Sequence, residues 1–205
     1  MARVIEKTIY QFDELEAEGQ ERARDWYRGC IESDEVSDIE DWQAIAEILG
    51  IEFKTQSVRL YGGGSRHDPQ IYWELNPDSA AYAGRYAYRK GAPKRIREYA
   101  PQDTVLHGIA DRLQAIQRRY FYRLAADCET GGRNGTSQKV QSFRINNWDY
   151  NESIECDDLA ECLTDFAHWI ACTVSAQWDY LHSSECVDES IRANEYEFDE
   201  HGNIH

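Results

Sequence analysis

Two histidine–cysteine pairs have the spacing of metal ligands. His168 and Cys172 are four residues apart, and so are His182 and Cys186. On a helix this spacing places the imidazole and thiolate on one face, where they could bind zinc. On one straight helix the two pairs would lie roughly 20 Å apart, so they can share an ion only if the chain turns back at Ser183. Core thiols and surface imidazoles explain the pairs without a metal, so we expect no cofactor and keep a structural zinc site as the alternative.

No motif in the chain predicts catalysis. Residues 62–65 are Gly-Gly-Gly-Ser, without the Gly-Lys-Ser/Thr ending and following helix of a phosphate-binding loop. We interpret this segment as a hairpin turn, and the glycine-rich segment 129–136 as a polar loop. The sequence also contains no Gly-x-Ser-x-Gly motif and no Cys-x-x-Cys motif. We therefore predict that the protein is not an enzyme.

Basic residues interleaved with tyrosines occupy the middle of the chain. Exposed cations can contact a phosphate backbone, and aromatic rings can stack on bases, so this segment could bind nucleic acid. The competing interpretation pairs the same cations with the acidic ends of the chain, within the fold or across a homodimer. The basic residues concerned are Arg85, Arg89, Lys90, Lys94, Arg95, Arg97, Arg112, Arg118, Arg119 and Arg123.

The formal net charge of −16 over 205 residues is unevenly distributed. Residues 1–50 hold 14 acids and 5 bases, residues 51–150 hold 10 and 16, and residues 151–205 hold 14 and 1. Direct nucleic-acid binding by the whole protein is disfavoured by this charge, but carboxylates could imitate phosphates and occupy the cationic groove of a protein. The residues assigned to such a partner-binding surface are Glu35, Asp38, Asp41, Asp157, Asp158, Glu161, Asp165, Glu185, Asp188 and Glu189, with Glu14, Glu18 and Glu21 beside them.

One long helix is the main element expected to position these residues. From Glu155 to Leu181 the apolar residues recur at steps of three and four, which places them on one broad face. Acidic residues in the first turn, Asp157 and Asp158, suit the positive end of the helix dipole. We predict a helix of about seven turns with one face buried.

Shorter patterns surround this helix. Apolar periodicity predicts helices over 13–31, from about Val36 to Leu49 with Ser33 or Asp34 as the cap, over 103–126, and from a cap at Ser183 or Ser184 to Ile191. Alternation predicts strands over 3–11, 55–61, 70–75, 82–89, 139–145 and 196–198, with 62–69 as the turn of a hairpin between the second and third.

This order of elements has no regular strand–helix–strand alternation. It predicts an α+β fold, with an antiparallel sheet of about four strands and helices mainly on one face. We find no linker, so residues 1–205 are expected to form a single domain with an acidic tail from about residue 200. The N-terminus lacks the apolar run of a signal peptide, no segment approaches a membrane span, and the unpaired cysteine spacing fits a reducing compartment. We expect a cytoplasmic protein without a membrane partner.

Two terminal motifs carry a resemblance to a known group. Tyr-Gln-Phe-Asp-Glu-Leu at 10–15 with Ala-Arg-Asp-Trp-Tyr-Arg at 23–28, and Ala-Asn-Glu-Tyr-Glu-Phe at 193–198, resemble a family of small, uncharacterised phage and prophage proteins, some labelled antitoxin-like. That family tends to have a Gly-Asp-Gly turn where this chain has residues 62–69. The resemblance implies a phage context and supplies no catalytic residues.

Charge and resemblance together predict a phage-encoded inhibitor of a host defence system, of the anti-CRISPR type. It would act in the host cytoplasm by binding a host nucleic-acid-handling or defence protein, through an acidic surface that mimics DNA. The alternatives are an antitoxin-like or regulatory protein that binds nucleic acid through the basic segment, and a phage accessory protein with structural zinc.

Overall fold

The chain divides into two compact units. We call Met1–Ser37 with Ser175–His205 the terminal unit, and Asp38–Val174 the central unit. The prediction of a single domain over 1–205 stays a prediction, because compact units can still unfold as one cooperative domain. The computed structural model describes residues 8–32, 36–75, 78–132, 139–147 and 152–205.

The helices and strands alternate irregularly along the chain. The α-helices are Ala17–Arg28 (α1), Ile39–Leu49 (α2), Ala92–Tyr99 (α3), Thr104–Arg119 (α4), Asp157–His182 (α5) and Ser184–Ala193 (α6). The strands are Tyr10–Gln11 (β1), Ile51–Phe53 (β2), Thr55–Arg59 (β3), Ser65–Pro69 (β4), Ile71–Leu75 (β5), Asp78–Tyr82 (β6), Gly84–Ala87 (β7), Leu124–Gly132 (β8), Lys139–Asn147 (β9), Glu152–Ser153 (β10) and Glu197–Phe198 (β11).

An antiparallel sheet with strand order β10-β9-β8-β7-β2 forms the framework of the central unit. Successive residues of a strand point to opposite faces, so each row of opposed residues belongs to one face. One row is buried and consists of Ile51, Tyr86, Ala126 and Ile145. The next row is charged and consists of Glu52, Arg85, Asp127 and Arg144. One face of the sheet is therefore core and the other is polar.

Helix α5 packs on the buried face. The Phe166 ring lies 6.4 Å from the Phe53 ring, and the Tyr82 hydroxyl donates to the Leu163 carbonyl at 3.1 Å. Trp169 is only 7% exposed. The predicted α+β fold and the predicted long helix are both confirmed.

Helices α4 and α5 lie side by side and run in opposite directions. The Trp169 indole N–H donates to Asp103, the cap of α4, at 2.8 Å. Near the other end of α4, Arg119 pairs with Asp158 in the first turn of α5 at 2.5 Å. Polar contacts at both ends of α4 therefore fix its register against α5.

The predicted hairpin between 55–61 and 70–75 is wrong. Strand β3 pairs with β4, and β5 pairs with β6. The segment Ser65–Pro69, predicted as part of a turn, therefore forms a strand. Much of the β3–β4 hairpin is solvent-exposed, so its strands lack the apolar alternation by which a strand is recognised in a sequence.

Backbone hydrogen bonds among three residues, each located between two strands, connect the sheets of the central unit. The Lys54 amide donates to Ala83, the Ala83 amide donates to Gln70, and the Gln70 amide donates to Lys54, at 2.8, 2.9 and 2.7 Å. This closed ring of backbone hydrogen bonds joins β2, β5 and β7 at one point. Gly84 begins β7 there, where a Cβ atom would lie 2.3 Å from the Glu52 carbonyl oxygen. Only glycine allows this close approach.

Several predicted helix limits need correction. Helix α4 ends at Arg119 rather than 126, because Phe121 and Tyr122 have φ angles of 54° and 62° and turn the chain into β8. That strand includes part of the predicted loop 129–136, of which residues 133–136 lie outside the described range.

The starts of the first two helices also differ from the prediction. Helix α1 begins at Ala17 instead of 13, after a short 3₁₀ turn at Phe12–Glu14. The cap of α2 is Asp38, whose carboxylate accepts from the Asp41 amide at 3.1 Å. The predicted caps Ser33 and Asp34 lie outside the described residues.

The terminal unit joins the two ends of the chain. Strand β1 pairs antiparallel with β11, and Ser183 caps α6 as predicted. The rest of the predicted strand 3–11 lies partly outside the described residues. The core of this unit consists of Phe12, Leu15, Ala23, Val187, Ile191 and Phe198. The predicted acidic tail folds back, since the His205 amide donates to Glu197 at 2.9 Å.

Candidate functional site

Negative charge is concentrated in the terminal unit. Its sequence contains 18 acidic and 6 basic residues, a net charge of −12. The central unit contains 20 and 16, a net charge of −4. The acidic surface expected from the sequence therefore belongs mainly to the unit that the chain ends form.

The exposed face of α6 carries two carboxylates. Glu185 and Glu189 are four residues apart, which places them on one side of the helix, and both are exposed. Neither forms an ion pair with another described residue. Asp188, by contrast, faces α1 and binds Arg24 through both carboxylate oxygens. Two of the three predicted acids on α6 are thus available to a partner.

An exposed tyrosine lies beside these carboxylates. Tyr180, near the end of α5, is 55% exposed. Electrostatic interactions with Cys186, then Glu189, and more weakly Glu185 raise the pKa of the Tyr180 phenol. No sequence pattern distinguishes this tyrosine, because it lies in a helix with several other aromatic residues. We call Tyr180, Glu185 and Glu189 the acidic–tyrosine surface.

Most of the other predicted partner-binding acids have roles in the fold. Asp38 caps α2, and Asp41 accepts a hydrogen bond from the Tyr99 hydroxyl at 2.6 Å. Asp158 pairs with Arg119, and Asp165 pairs with Arg112. The exposed acids without an ion pair in the described part of the central unit include Asp157 and Glu161. Glu35 lies outside the described residues.

The acids predicted near the N-terminus are also engaged. Glu14 accepts from the Gln11 amide at 2.8 Å. Glu18 pairs with Arg22 at 3.1 Å, and Glu21 pairs with both arginines of the next two turns, Arg24 and Arg28. Exposed ion pairs of this kind contribute little to stability. They do, however, reduce the negative electrostatic potential that these carboxylates present to a partner.

The predicted basic residues fall into two groups. Arg97 binds Asp111 at 2.6 Å and Lys94 lies 3.6 Å from Glu98, while Arg112 and Arg119 pair with α5. Arg85 lies between Glu52 and Asp127 in the sheet register, and Arg123 also has an interaction within the fold. The exposed cations that form no ion pair with a described residue are Arg89, Lys90, Arg95 and Arg118.

The turn from α4 to β8 exposes aromatic rings near some of those cations. Phe121 is 78% exposed and Tyr122 is 42% exposed. The Tyr122 ring lies 4.6 Å from the ring of Tyr88, which precedes Arg89 and Lys90 in the chain. The predicted helix over 103–126 included Phe121, whereas the helix ends at Arg119 and leaves this ring exposed.

The two histidine–cysteine pairs lie in different units. The His168 Nε2 and Cys172 Sγ atoms are 3.5 Å apart on an exposed part of α5. His182 instead uses Nδ1 to contact the Trp178 carbonyl oxygen at 2.9 Å, and Cys186 lies on α6. Among the described residues, no three His, Cys, Asp or Glu side chains are close enough together to hold a metal ion.

An open cleft lies at the polar face of the sheet. Its volume is about 610 Å³, and charged residues of both signs, including Glu52, Arg85, Asp127 and Arg144, line it. Asn146 also donates to the Asp127 carboxylate at 3.3 Å, and Arg144 lies 3.6 Å from Glu129. Opposite charges alternate across the strands, so neighbouring side chains of the cleft neutralise one another. The cleft therefore does not present charge of a single sign to a ligand.

One known protein family matches most of the chain. The family described as "Domain of unknown function (DUF8835)" matches residues 36–184. The chain belongs to the DUF8835 family. No curated protein and no solved structure matches it.

The DUF8835 match covers the central unit and all of α5. The sheet, the cleft and the α4–β8 turn fall within it, whereas α1, most of α6 and the β1–β11 pair fall outside it. None of the helices in the described ranges has the length and apolar composition needed to cross a membrane.

Proposed function

We propose that this protein is an inhibitor that binds a basic protein partner through its terminal unit. The observation that carries the proposal is the net charge of −12 in that unit, against −4 in the larger central unit. A concentrated charge of one sign accelerates encounter with a surface of the opposite sign and repels surfaces of the same sign.

The proposed partner is a host protein that handles nucleic acid. Such proteins concentrate lysine and arginine in the grooves that hold phosphates, and a carboxylate surface can compete for these grooves. The resemblance of the chain ends to phage and prophage proteins supports a host target in the cytoplasm, such as a CRISPR effector or another defence complex. Binding, without turnover or a cofactor, is the activity proposed.

The acidic–tyrosine surface supplies a contact point within this unit. Glu185 and Glu189 have no ion pair with a described residue, so a partner's cations need not displace an existing one. Charge alone gives little specificity, whereas exposed tyrosines are frequent among the residues that dominate binding energy. Tyr180, 55% exposed beside both carboxylates, is the anchor that the proposal assigns.

Capture from a bacterial lysate treated with nuclease tests the proposal. The wild-type protein is compared with the double variant Glu185→Lys/Glu189→Lys, and retained proteins are identified by mass spectrometry. A matched control, Glu47→Lys/Glu98→Lys, changes the charge equally on exposed residues of the central unit. Circular dichroism checks that all three proteins are folded.

The proposal predicts that wild type and control retain the same basic, nucleic-acid-handling partner and that the terminal-unit variant loses it. Partners without nucleic-acid function, or equal retention by all three proteins, would contradict it.

A further inference from the structure

We propose that the turn between α4 and β8 binds single-stranded nucleic acid. Three aromatic residues, Tyr88, Phe121 and Tyr122, lie in or beside this turn, and nearby cations form no ion pair with a described residue. We call these rings, with Arg89, Lys90 and Arg118, the basic–aromatic patch. It belongs to the central unit and is independent of the acidic–tyrosine surface.

The backbone of the turn holds Phe121 in a conformation that favours glycine. The Tyr122 amide donates to the Gln117 carbonyl at 2.7 Å, and the Phe121 amide donates to the Arg118 carbonyl at 3.4 Å. These two bonds form a Schellman motif, whose left-handed position is usually occupied by glycine. Here Phe121 occupies it with a φ angle of 54°, and Tyr122 follows at 62°.

Folding does not account for a phenylalanine at this position. The Phe121 side chain is 78% exposed, so it adds little to the core, and its backbone conformation is strained. Strained residues of this kind are found preferentially at binding and catalytic sites. An exposed aromatic ring at a helix end is suited to stacking on a planar ligand.

The rings of Tyr88 and Tyr122 add to the aromatic surface of Phe121. The Tyr88 and Tyr122 ring centroids are 4.6 Å apart with an interplanar angle of 36°. Together with Phe121 they offer aromatic surface for successive unpaired bases, whose stacking on aromatic side chains is largely independent of sequence.

Cations next to the rings can contact the phosphates. Arg89 and Lys90 directly follow Tyr88, and a small cavity places Tyr88 and Arg89 beside Gln114 of α4. Arg118 is one helical turn beyond Gln114, on the side of α4 that leads to the aromatic turn. None of these three cations is ion-paired with a described residue, in contrast to Arg97, Arg112 and Arg119.

A short single strand fits this patch better than a duplex. Paired bases are stacked inside a duplex and cannot reach aromatic side chains, whereas unpaired bases can. The net charge of −16 repels a long polyanion, but at physiological ionic strength charges are screened beyond about 8 Å. A strand of a few nucleotides therefore meets less repulsion than a long one.

Fluorescence anisotropy with labelled oligonucleotides tests this inference on the full chain. The probes are oligo-dT and oligo-rU of about ten nucleotides, a duplex of the same length, and a decapeptide of glutamate. We expect the single strands to bind more tightly than the other two probes, and more weakly as salt rises from about 50 to about 200 mM.

Substitutions then locate the site. Phe121→Ala should weaken single-strand binding about tenfold through lost stacking. Arg89→Glu/Arg118→Glu should weaken binding and reduce its dependence on salt. Val105→Ala, which shortens another exposed apolar side chain on α4, should leave binding unchanged.

Three outcomes would overturn the inference: no binding of either single strand at low salt, unchanged binding by Phe121→Ala, or tighter binding of the glutamate peptide. Because Phe121 is mostly exposed, its alanine variant should remain folded, and circular dichroism verifies this.

Discussion

The Arg24 guanidinium binds both carboxylate oxygens of Asp188, with donor–acceptor distances of 2.6 and 2.9 Å. The residues are 164 positions apart and join α1 to α6 within the terminal unit. Their side chains are only 18% and 17% exposed. The hydrogen bonds from Arg24 to Asp188 are the main reason that the Arg24 pKa is held above its ordinary value. A unit with six bases thus uses one of them to connect the two ends of the chain.

Removing this contact should destabilise the terminal unit. We expect Asp188→Ala to lower the free energy of unfolding by about 1–2 kcal/mol, because the partly buried Arg24 loses its two-oxygen partner and keeps only the more exposed Glu21. Urea denaturation followed by circular dichroism measures the change. Glu18→Ala is the control, since its ion pair with Arg22 is largely exposed and should contribute less than about 0.5 kcal/mol. Equal effects of the two substitutions would show that the Arg24–Asp188 pair has no special role.

A second prediction concerns the contribution of Trp169 on α5 to stability. Trp169→Ala should cost about 3–5 kcal/mol, because the side chain is almost fully buried and its loss leaves a cavity. Trp169→Phe keeps most of the ring volume and removes the hydrogen bond to Asp103, so it should cost less. Urea denaturation compares the two. An unchanged stability of the alanine variant would contradict the assignment of Trp169 to the core.

Glycine at position 121 should stabilise the protein. Phe121→Gly relieves the left-handed backbone strain at the end of α4 and removes a side chain that is mostly exposed. We expect a gain of about 1 kcal/mol in the free energy of unfolding. Phe121→Ala, which keeps a Cβ atom, is the control and should not show this gain. A loss of stability in the glycine variant would mean that the ring makes packing contacts that its exposure does not indicate.

The C-terminal tail should respond to acid. Hydrogen bonds from the Asn203 side chain and amide, and from the His201 amide, lower the Asp199 pKa to about 2. Because this value is below the ordinary 3.8, the tail gains stability from the charged carboxylate above about pH 4 and loses it as the pH falls towards 2.

NMR titration of the Asp199 carboxyl carbon should therefore show a midpoint near 2. The protection factor of the Asn203 amide should fall as Asp199 is protonated. A midpoint near 3.8 would indicate that the folded tail seen here does not persist in solution.

Elements with a strong local pattern were predictable from the sequence. The stripe of apolar residues in α5 repeats over many turns, and Ser183 is a typical helix cap, so both were located closely. Gly50 ends α2 with a φ angle of 93°, as a glycine after an apolar stripe suggests.

Features that depend on distant contacts or unusual backbone were not predictable. Strand β8 was missed because the chain turns at Phe121, a residue type that rarely adopts positive φ. Strand β4 was missed because polar residues such as Arg66 and His67 form a largely exposed ladder without an apolar face. The sequence also cannot show which carboxylates a fold uses for its own ion pairs, as Asp165 illustrates.

The same limit applies to the candidate site. The acidic character of both chain ends was evident, but not that the ends pack together and concentrate a charge of −12 in one unit. Tyr180 could be recognised as a candidate binding residue only from its exposure and its interactions with the nearby carboxylates.

The association rate constant at two ionic strengths tests most directly whether the terminal unit steers the protein onto a basic partner. The partner captured from lysate is immobilised, and binding is followed by biolayer interferometry at about 50 and about 200 mM salt. For wild type and Glu47→Lys/Glu98→Lys, we predict rates that fall about tenfold as salt rises. Glu185→Lys/Glu189→Lys should associate more slowly at low salt and depend less on salt. A rate that is independent of salt, or equal in all three proteins at low salt, would contradict the proposal.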